Sequence, residues 1–526
     1  MKSIATRPAF VSIRWVFGFG CGACRTLVLK TRAMPYPILL VMLLIVSCTV
    51  GPDFHQPPAP NVSSYIKEPL PEKTITAEKS GADVQYFKSG LDISGQWWML
   101  FHSQSLNALI EEALKNNPDL TAAQAALRVA HENVYAQQGA YYPGIATNFS
   151  SIRQKTPVAS VTTNATSGAS IYNLFTPQVS VSYVPDVFGL NRRTVESLQA
   201  QEESQRFQLE ATYLTLTSNV VAAAVQEASL REQIVATQKI IKIESEQLDL
   251  MRQQYDLGAI AEADVVTQEA TLAQAQAGFP VLQKQLAQQR DLLTALVGHF
   301  PIEEPPEKFQ LSELELPQEL PLSLPAQLVE QRPDVRSAEA QLHAASAQVG
   351  VAIANRLPNL TLTADYGSTA TAIDQLFSSG TGFWVVAGNL TQPIFQGGAL
   401  LHRQRAAEAA YDQAAAQYRS VVITAFKDVA DTLHAIQSDA DVLKAAANGA
   451  STAARGLDIA QQQMQLGGIS YLKMLNADQA YQQALINLAQ ARANRYADTA
   501  ALFQALGGGW WNRSDIPGVS ANHISN

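Results

Sequence analysis

Between Arg231 and Val297 the apolar positions keep a seven-residue rhythm. Ile234, Ile241, Leu248 and Tyr255 recur at that spacing, the period of helices that pack side by side. Ile243, Leu250 and Leu257 repeat it two residues later. Two residues are about 200° of helical rotation, so the two stripes lie on nearly opposite flanks of one helix. A bundle helix needs one broad apolar face. Two lateral seams with polar surface between them predict a helix with a neighbour on each side, as in a wall or tube. After Leu257-Gly258-Ala259-Ile260-Ala261 the rhythm resumes at Val265, Leu272, Phe279, Leu286 and Leu293. That predicts an antiparallel partner folded back on the first helix.

The pattern occurs twice. Leu443, Ala450, Leu457 and Met464 repeat the first stripe at an offset of 209 residues, and Ile459 and Leu466 repeat the second. The fold-back Gln254 to Ile260 returns as Gln463 to Ile469. The chain is therefore two copies of one large unit. From Leu190 to Asp256 no proline intervenes, so one helix of 67 residues is predicted, about 100 Å long.

Other stretches alternate with period two. Phe175, Val179, Val181 and Tyr183 oppose Thr176, Gln178, Ser180 and Ser182; Leu360, Leu362, Ala364 and Tyr366 oppose Asn359, Thr361, Thr363 and Asp365. Ile145 to Arg153 and Trp384 to Ile394 read similarly. Strands of this length with one apolar and one polar face suit a transmembrane β-barrel, a small soluble sheet being the alternative. Four strands are too few to close a barrel, for which about eight is the practical minimum, and open edges cannot stand in lipid. If the strands span a membrane, several chains must share one barrel. The predicted hairpin tips are Val158 to Ser170 and Thr371 to Thr381. A helix enters each hairpin through a proline, Pro143 or Pro358, with Asn117-Pro118 and Arg332-Pro333 restarting the helices upstream. Exits run through Pro185 to Arg193 and Pro393 to Arg403.

Charged residues make up only 16% of the chain, below the usual quarter. Ala and Gln fill the difference, which lets helices approach closely. A net charge of −9 argues against a nucleic-acid partner. No acidic residue precedes Asp53, whereas Lys2, Arg7, Arg14, Arg25, Lys30 and Arg32 are basic. The apolar run Ile38 to Val46 is too short to span a bilayer and has the shape of a signal-peptide core. Cys21 and Cys24 form a C-x-x-C pair inside the part expected to be removed, so no disulfide framework is expected. Ile45-Val46-Ser47-Cys48 resembles a bacterial lipobox, which implies cleavage before Cys48, acylation of its thiol and amino group, and sorting to the outer membrane. An ordinary signal peptide with an incidental Cys is the alternative.

Cys48 with Gly51-Pro52-Asp53-Phe54, Trp97-Trp98 with Phe101, both strand exits, both Leu-Gly-x-Ile turns and the terminal Ala505 to Trp510 together resemble the outer-membrane efflux protein family, in its lipoprotein branch. The resemblance covers Cys48 to Trp511. It implies a mainly α fold with membrane β: duplicated long antiparallel helices forming an α-helical barrel, and four strands per chain entering a twelve-stranded barrel shared by a homotrimer. It implies the exit duct of a tripartite drug efflux pump, with a periplasmic adaptor (membrane fusion) protein and an inner-membrane RND-type transporter as partners. The expected plan is a signal peptide over 1–47, a strap over 48–100 and a first repeat over 101–300. A linker (301–325), a second repeat (326–506) and a C-terminal segment (507–526) follow.

The same resemblance implies site residues. Adaptor docking falls on Leu257, Gly258, Ile260, Leu466, Gly467 and Ile469, where small and apolar residues at an exposed turn suit a partner surface; turn chemistry alone would also explain the glycines. A constriction falls on the helix after the second fold-back, where relatives read Tyr-Leu-x-x-Leu-Asp-Ala-Gln-Arg. This chain reads Tyr471 to Gln479 with Leu472 in place, but Asn476 stands at the acidic position and Gln479 at the basic one. Asp478 lies about 200° further round the helix and is no substitute. Asn476 lines the axis or faces a neighbouring helix; the sequence leaves both open.

Competing classes are weaker. No H-E-x-x-H, G-x-S-x-G, P-loop or dinucleotide glycine pattern occurs. His131, His343 and His434 sit singly in helices, so no catalysis, metal or cofactor is expected. A coiled-coil spacer lipoprotein would explain the heptads but not the strands. A type I secretion duct is the nearest alternative.

Overall fold

The computed structural model describes residues 49–75, 84–155 and 171–513. Cys21, Cys24, Cys48 and the first predicted hairpin tip lie outside the described residues. The first half contains β1 (Tyr86–Ser89), α1 (Gln104–Asn116), α2 (Pro118–Gln138), β2 (Gly144–Lys155), β3 (Ile171–Tyr183), α3 (Leu190–Asp256) and α4 (Glu262–Val297). The second contains β4 (Glu319–Leu322), α5 (Pro325–Gln331), α6 (Pro333–Ala354), β5 (Asn359–Ser368), β6 (Gly382–Thr391), α7 (Ala399–Gln465) and α8 (Tyr471–Ala505).

Both proline punctuations act as the sequence predicts. Asn117 ends α1 and starts α2: its side-chain oxygen accepts from Asp119 N at 2.9 Å and Leu120 N at 3.2 Å, and Pro118 fills the first helical position, where no N–H is needed. Its amide nitrogen donates to Leu296 O at 2.9 Å, tying the break to α4. In the second copy Pro333 opens α6 after Arg332, whose guanidinium grips Asp334, Asp428 and Ala505 O. The fourth strand stops at Thr391, short of the predicted Ile394, because Pro393 has no N–H to continue a ladder.

α3 and α7 each run 67 unbroken residues, about 100 Å. Shorter helices lie end to end beside them. Near the strands the lateral order is α2–α3–α6–α7; beyond them it is α4–α3–α8–α7. α3 therefore has a neighbour on each flank. Gln289 and Gln268 of α4 reach Ala223 O and Glu244 on one side, and Ser229 and Gln247 reach Ala489 O and Asn476 of α8 on the other. Along most of their length the two predicted stripes occupy these seams: Leu248 and Ile243 are buried and Ile234, Ile241 and Leu250 half-buried, whereas Tyr255 and Leu257 beside the fold-back are exposed. Buried Ala223, Ala224 and Ala228 on α3 and Ala489, Ala491 and Ala493 on α8 set the close approach.

The largest apolar cluster lies at mid-height, where strap, linker and chain end meet. Trp97, Trp98 and Phe101 form a 3₁₀ turn, with Trp97 stacked on Phe503 at 5.3 Å. β1 pairs in parallel with β4, joining strap to linker. The sequence showed neither strand, since each is four residues long and its partner is remote. Gly507, Gly508 and Gly509 close the cluster. A Cβ on Gly507 or Gly509 would sit 2.3 Å from a backbone oxygen, Gln331 O or Ile93 O, and Gly508 holds φ +66°, a conformation that favours glycine.

Candidate functional site

β2, β3, β5 and β6 form one antiparallel sheet in that order. The register aligns Ile145, Val181, Ala364 and Val386 in one row, and Thr147, Val179, Tyr366 and Trp384 in the next. The opposite face carries Ser182, Thr363 and Ala387, then Ser180, Asp365 and Val385. Ile145, Tyr366, Trp384 and Val386 are each 70–74% exposed. An apolar face four strands wide exceeds what a monomer surface tolerates in water and matches the lipid face of a membrane barrel. Tyr142, just before β2, and Phe395, just after β6, stand exposed at the helical end, as an aromatic girdle does. Among the described residues no helix is long and apolar enough to cross a membrane. β2 and β6 are unpaired edges within the chain.

At the opposite end of the long helices the two fold-backs have one geometry. Gly258 N donates to Tyr255 O and Ala259 N to Gln254 O, both at 2.8 Å. Gly467 N to Met464 O at 3.0 Å and Gly468 N to Gln463 O at 2.8 Å repeat the pair. This is the Schellman ending, which places Gly258 at φ +72° and Gly467 at φ +75°. Leu257 and Leu466 project outward, 84% and 87% exposed, while Ile260 and Ile469 are half-buried. A Cβ on either glycine would meet nothing within 4 Å.

Leu472, Asn476 and Gln479 lie on the first turns of α8. Leu472 and Gln479 are half-buried and Leu475 between them is buried. Asn476 is exposed as a whole, yet its Oδ1 accepts from Gln247 Nε2 of α3 at 3.1 Å. One turn earlier, Tyr471 OH donates to Glu246 Oε2 at 3.0 Å, and that bond pushes the phenol pKa up. The sequence missed both α3 partners. Glu246 and Gln247 look like ordinary helix polarity until the remote α8 is laid beside them.

The described N-terminus sits at the strand-to-helix turn. Val50 N donates to Phe188 O at 3.3 Å, and Arg193, nearly fully buried, holds Val50 O at 3.1 Å and Asp53 at 2.7 Å. Of His131, His343 and His434, two occupy structural pairs: His131 lies 2.6 Å from Glu202, and His343 lies 3.1 Å from Glu196 with its ring stacked on Phe54, while His434 is exposed.

A lipid-facing sheet with open edges, continued by a wall of helices with open edges, defines a subunit of an outer-membrane channel. The chain belongs to the outer membrane efflux protein family, whose profile matches residues 109–299 and 324–508. Among curated relatives, the pyoverdine export outer membrane protein OpmQ of Pseudomonas aeruginosa is 30% identical over 492 residues, covering 91% of this chain and 98% of that one. The probable efflux pump outer membrane protein TtgC of Pseudomonas putida is 27% identical over 484 residues, covering 91% and 96%. Among solved structures, the outer-membrane channel OprN superposes with a TM-score of 0.75 at 27% identity, covering 88% of this chain and all of that one. The outer membrane protein VceC of Vibrio cholerae gives 0.70 at 26% identity, covering 80% of this chain and 100% of its own.

Proposed function

We propose that three copies of this chain close into one exit duct of a tripartite efflux system, passing drugs or other toxic small molecules out of the cell. The observation that carries this reading is the four-stranded sheet, apolar on one face and unpaired at β2 and β6. Exposed ladder groups are untenable in lipid, so β6 of one protomer pairs with β2 of the next. Three copies supply twelve strands. The helical walls close by the same rotation into a periplasmic tube. Full-length protein in a planar bilayer is expected to give a steady ionic current, and native mass spectrometry a trimer. A non-conducting monomer would overturn the reading.

Three further assignments complete it. The leader is removed at residue 47 and Cys48 carries the acyl anchor; Thr49 and Val50 pack at the strand exit, at the level where the membrane boundary falls. The fold-backs dock the periplasmic adaptor, which links the duct to an inner-membrane RND-type transporter that selects the substrate. Leu472, Asn476 and Gln479 form the constriction between tube and adaptor. The strap, linker and C-terminal segment form a belt around two efflux repeats, with the boundaries expected from the sequence.

A further inference from the structure

Beside Phe309 of the linker, where α3, α4 and α8 meet, lies a pocket of about 580 Å³. α3 and α8 form its floor with Ala236, Leu485 and Leu488; Leu286 of α4 and Phe309 of the linker close two sides. Its rim is cationic. Arg231, Lys239, Lys308 and Arg492 surround it, against one carboxylate, Glu232, on a chain whose net charge is −9. Arg231 is held by Glu227, and Arg492 is drawn to Glu232. Lys239 and Lys308 are exposed, and among the described residues neither has a carboxylate within ion-pair distance.

We propose that this pocket binds an amphipathic anion: a medium-length alkyl or aryl body carrying a carboxylate, sulfonate or sulfate. The volume is that of a small-molecule site. The apolar floor selects a hydrophobic body, and the two uncommitted lysines select negative charge. It lies beside the linker, against Lys308, Phe309 and Gln310.

The experiment uses full-length protein in nanodiscs of zwitterionic lipid. The probe is a medium-chain alkyl carboxylate bearing a terminal diazirine, compared with the matching alcohol. Photolabelling by the acid is expected to saturate and to map to peptides containing Val235 or Leu485, and to weaken as salt rises; the alcohol is expected to label little. Lys239→Glu with Lys308→Glu is expected to lower labelling about tenfold, equivalent to about 1.4 kcal/mol. Leu485→Trp fills the pocket, keeps the lysines and is expected to abolish labelling. Equal labelling by the alcohol, or by the double variant with an unchanged melting curve, would overturn the assignment. So would labelling that never saturates.

Discussion

Gln247 Nε2 donates to Asn476 Oδ1 at 3.1 Å, joining α3 to the second turn of α8. The link is neutral amide to amide. Within its own chain this bond holds the Asn476 side chain, while the residue as a whole stays exposed. One turn away the Tyr471–Glu246 bond makes a second clasp between the same helices.

The constriction is accordingly expected to be weakly cation-selective and weakly blocked by divalent ions. Asn476→Asp keeps an acceptor for Gln247 and adds three charges around the trimer axis, so divalent block is expected to appear. Leu472→Ala is expected to raise single-channel conductance and to sensitise cells to large antibiotics. Unchanged conductance and permeability in Leu472→Ala would move the constriction elsewhere.

The fold-backs are expected to fail in docking without failing to fold. Gly258→Trp or Gly467→Trp meets nothing within 4 Å of its Cβ, and the positive φ costs about 1–2 kcal/mol at an exposed turn. Trimers and bilayer conductance are expected to survive while drug export in cells is lost. Export that persists in both variants would show that the adaptor docks elsewhere.

Much of this was legible because the features repeat or alternate. The two seams of α3 follow from Ile241 and Ile243 in seven-residue series, and the sheet face from Val179 and Val181. The belt was not legible. β1 meets β4 through four residues on each side, too few for a period to register. Asn476 was visible, but its pairing with Gln247 depends on how α8 is set against α3, and no local pattern encodes that. The lysines around the small pocket come from α3 and the linker, which approach only after folding.

Lipidation at Cys48 rests on the resemblance of Ile45 to Cys48 to a lipobox. Cys48→Ala is expected to abolish palmitate labelling and to leave a slower-migrating precursor. Efflux is expected to fall without vanishing, because the sheet face inserts independently of the lipid. Unchanged labelling would remove the anchor from the scheme.

Arg290 fastens the linker to the wall. It donates to Glu227 Oε1 at 2.8 Å, Glu307 O at 3.1 Å and Pro305 O at 2.7 Å, and pairs with Glu304. Arg290→Ala strips one cation from Glu227, which is fully buried. A loss of about 2–3 kcal/mol is expected, read as a lower melting temperature and as early proteolysis between Pro301 and Pro317. Linker cleavage at the parent rate would show that the clasp adds nothing.

A last expectation concerns pH. Asp439 of α7 is pushed up to about 7, first by burial and then by its hydrogen bond to the Asp498 carboxyl of α8, with Arg495 pulling the other way. Arg495 is itself buried, its guanidinium occupied by Ile436 O at 2.9 Å and Thr74 Oγ1 at 2.8 Å, so it offsets the two acids only in part. Two carboxyls in contact must share a proton. The folded chain keeps that proton up to about pH 7, whereas an unfolded Asp releases it near its ordinary 3.8. Folding therefore takes up a proton between those values, and the pair's contribution to stability declines as pH rises from 3.8 to 7, then levels off. Asp439→Asn is neutral throughout and still donates to Asp498. The melting-temperature difference between variant and parent is expected to be small at the acid end, to grow in the variant's favour toward neutrality, and to stay constant above it. Parallel curves across that range would mean that Asp439 is ionised in the folded chain and that the shared proton does not exist.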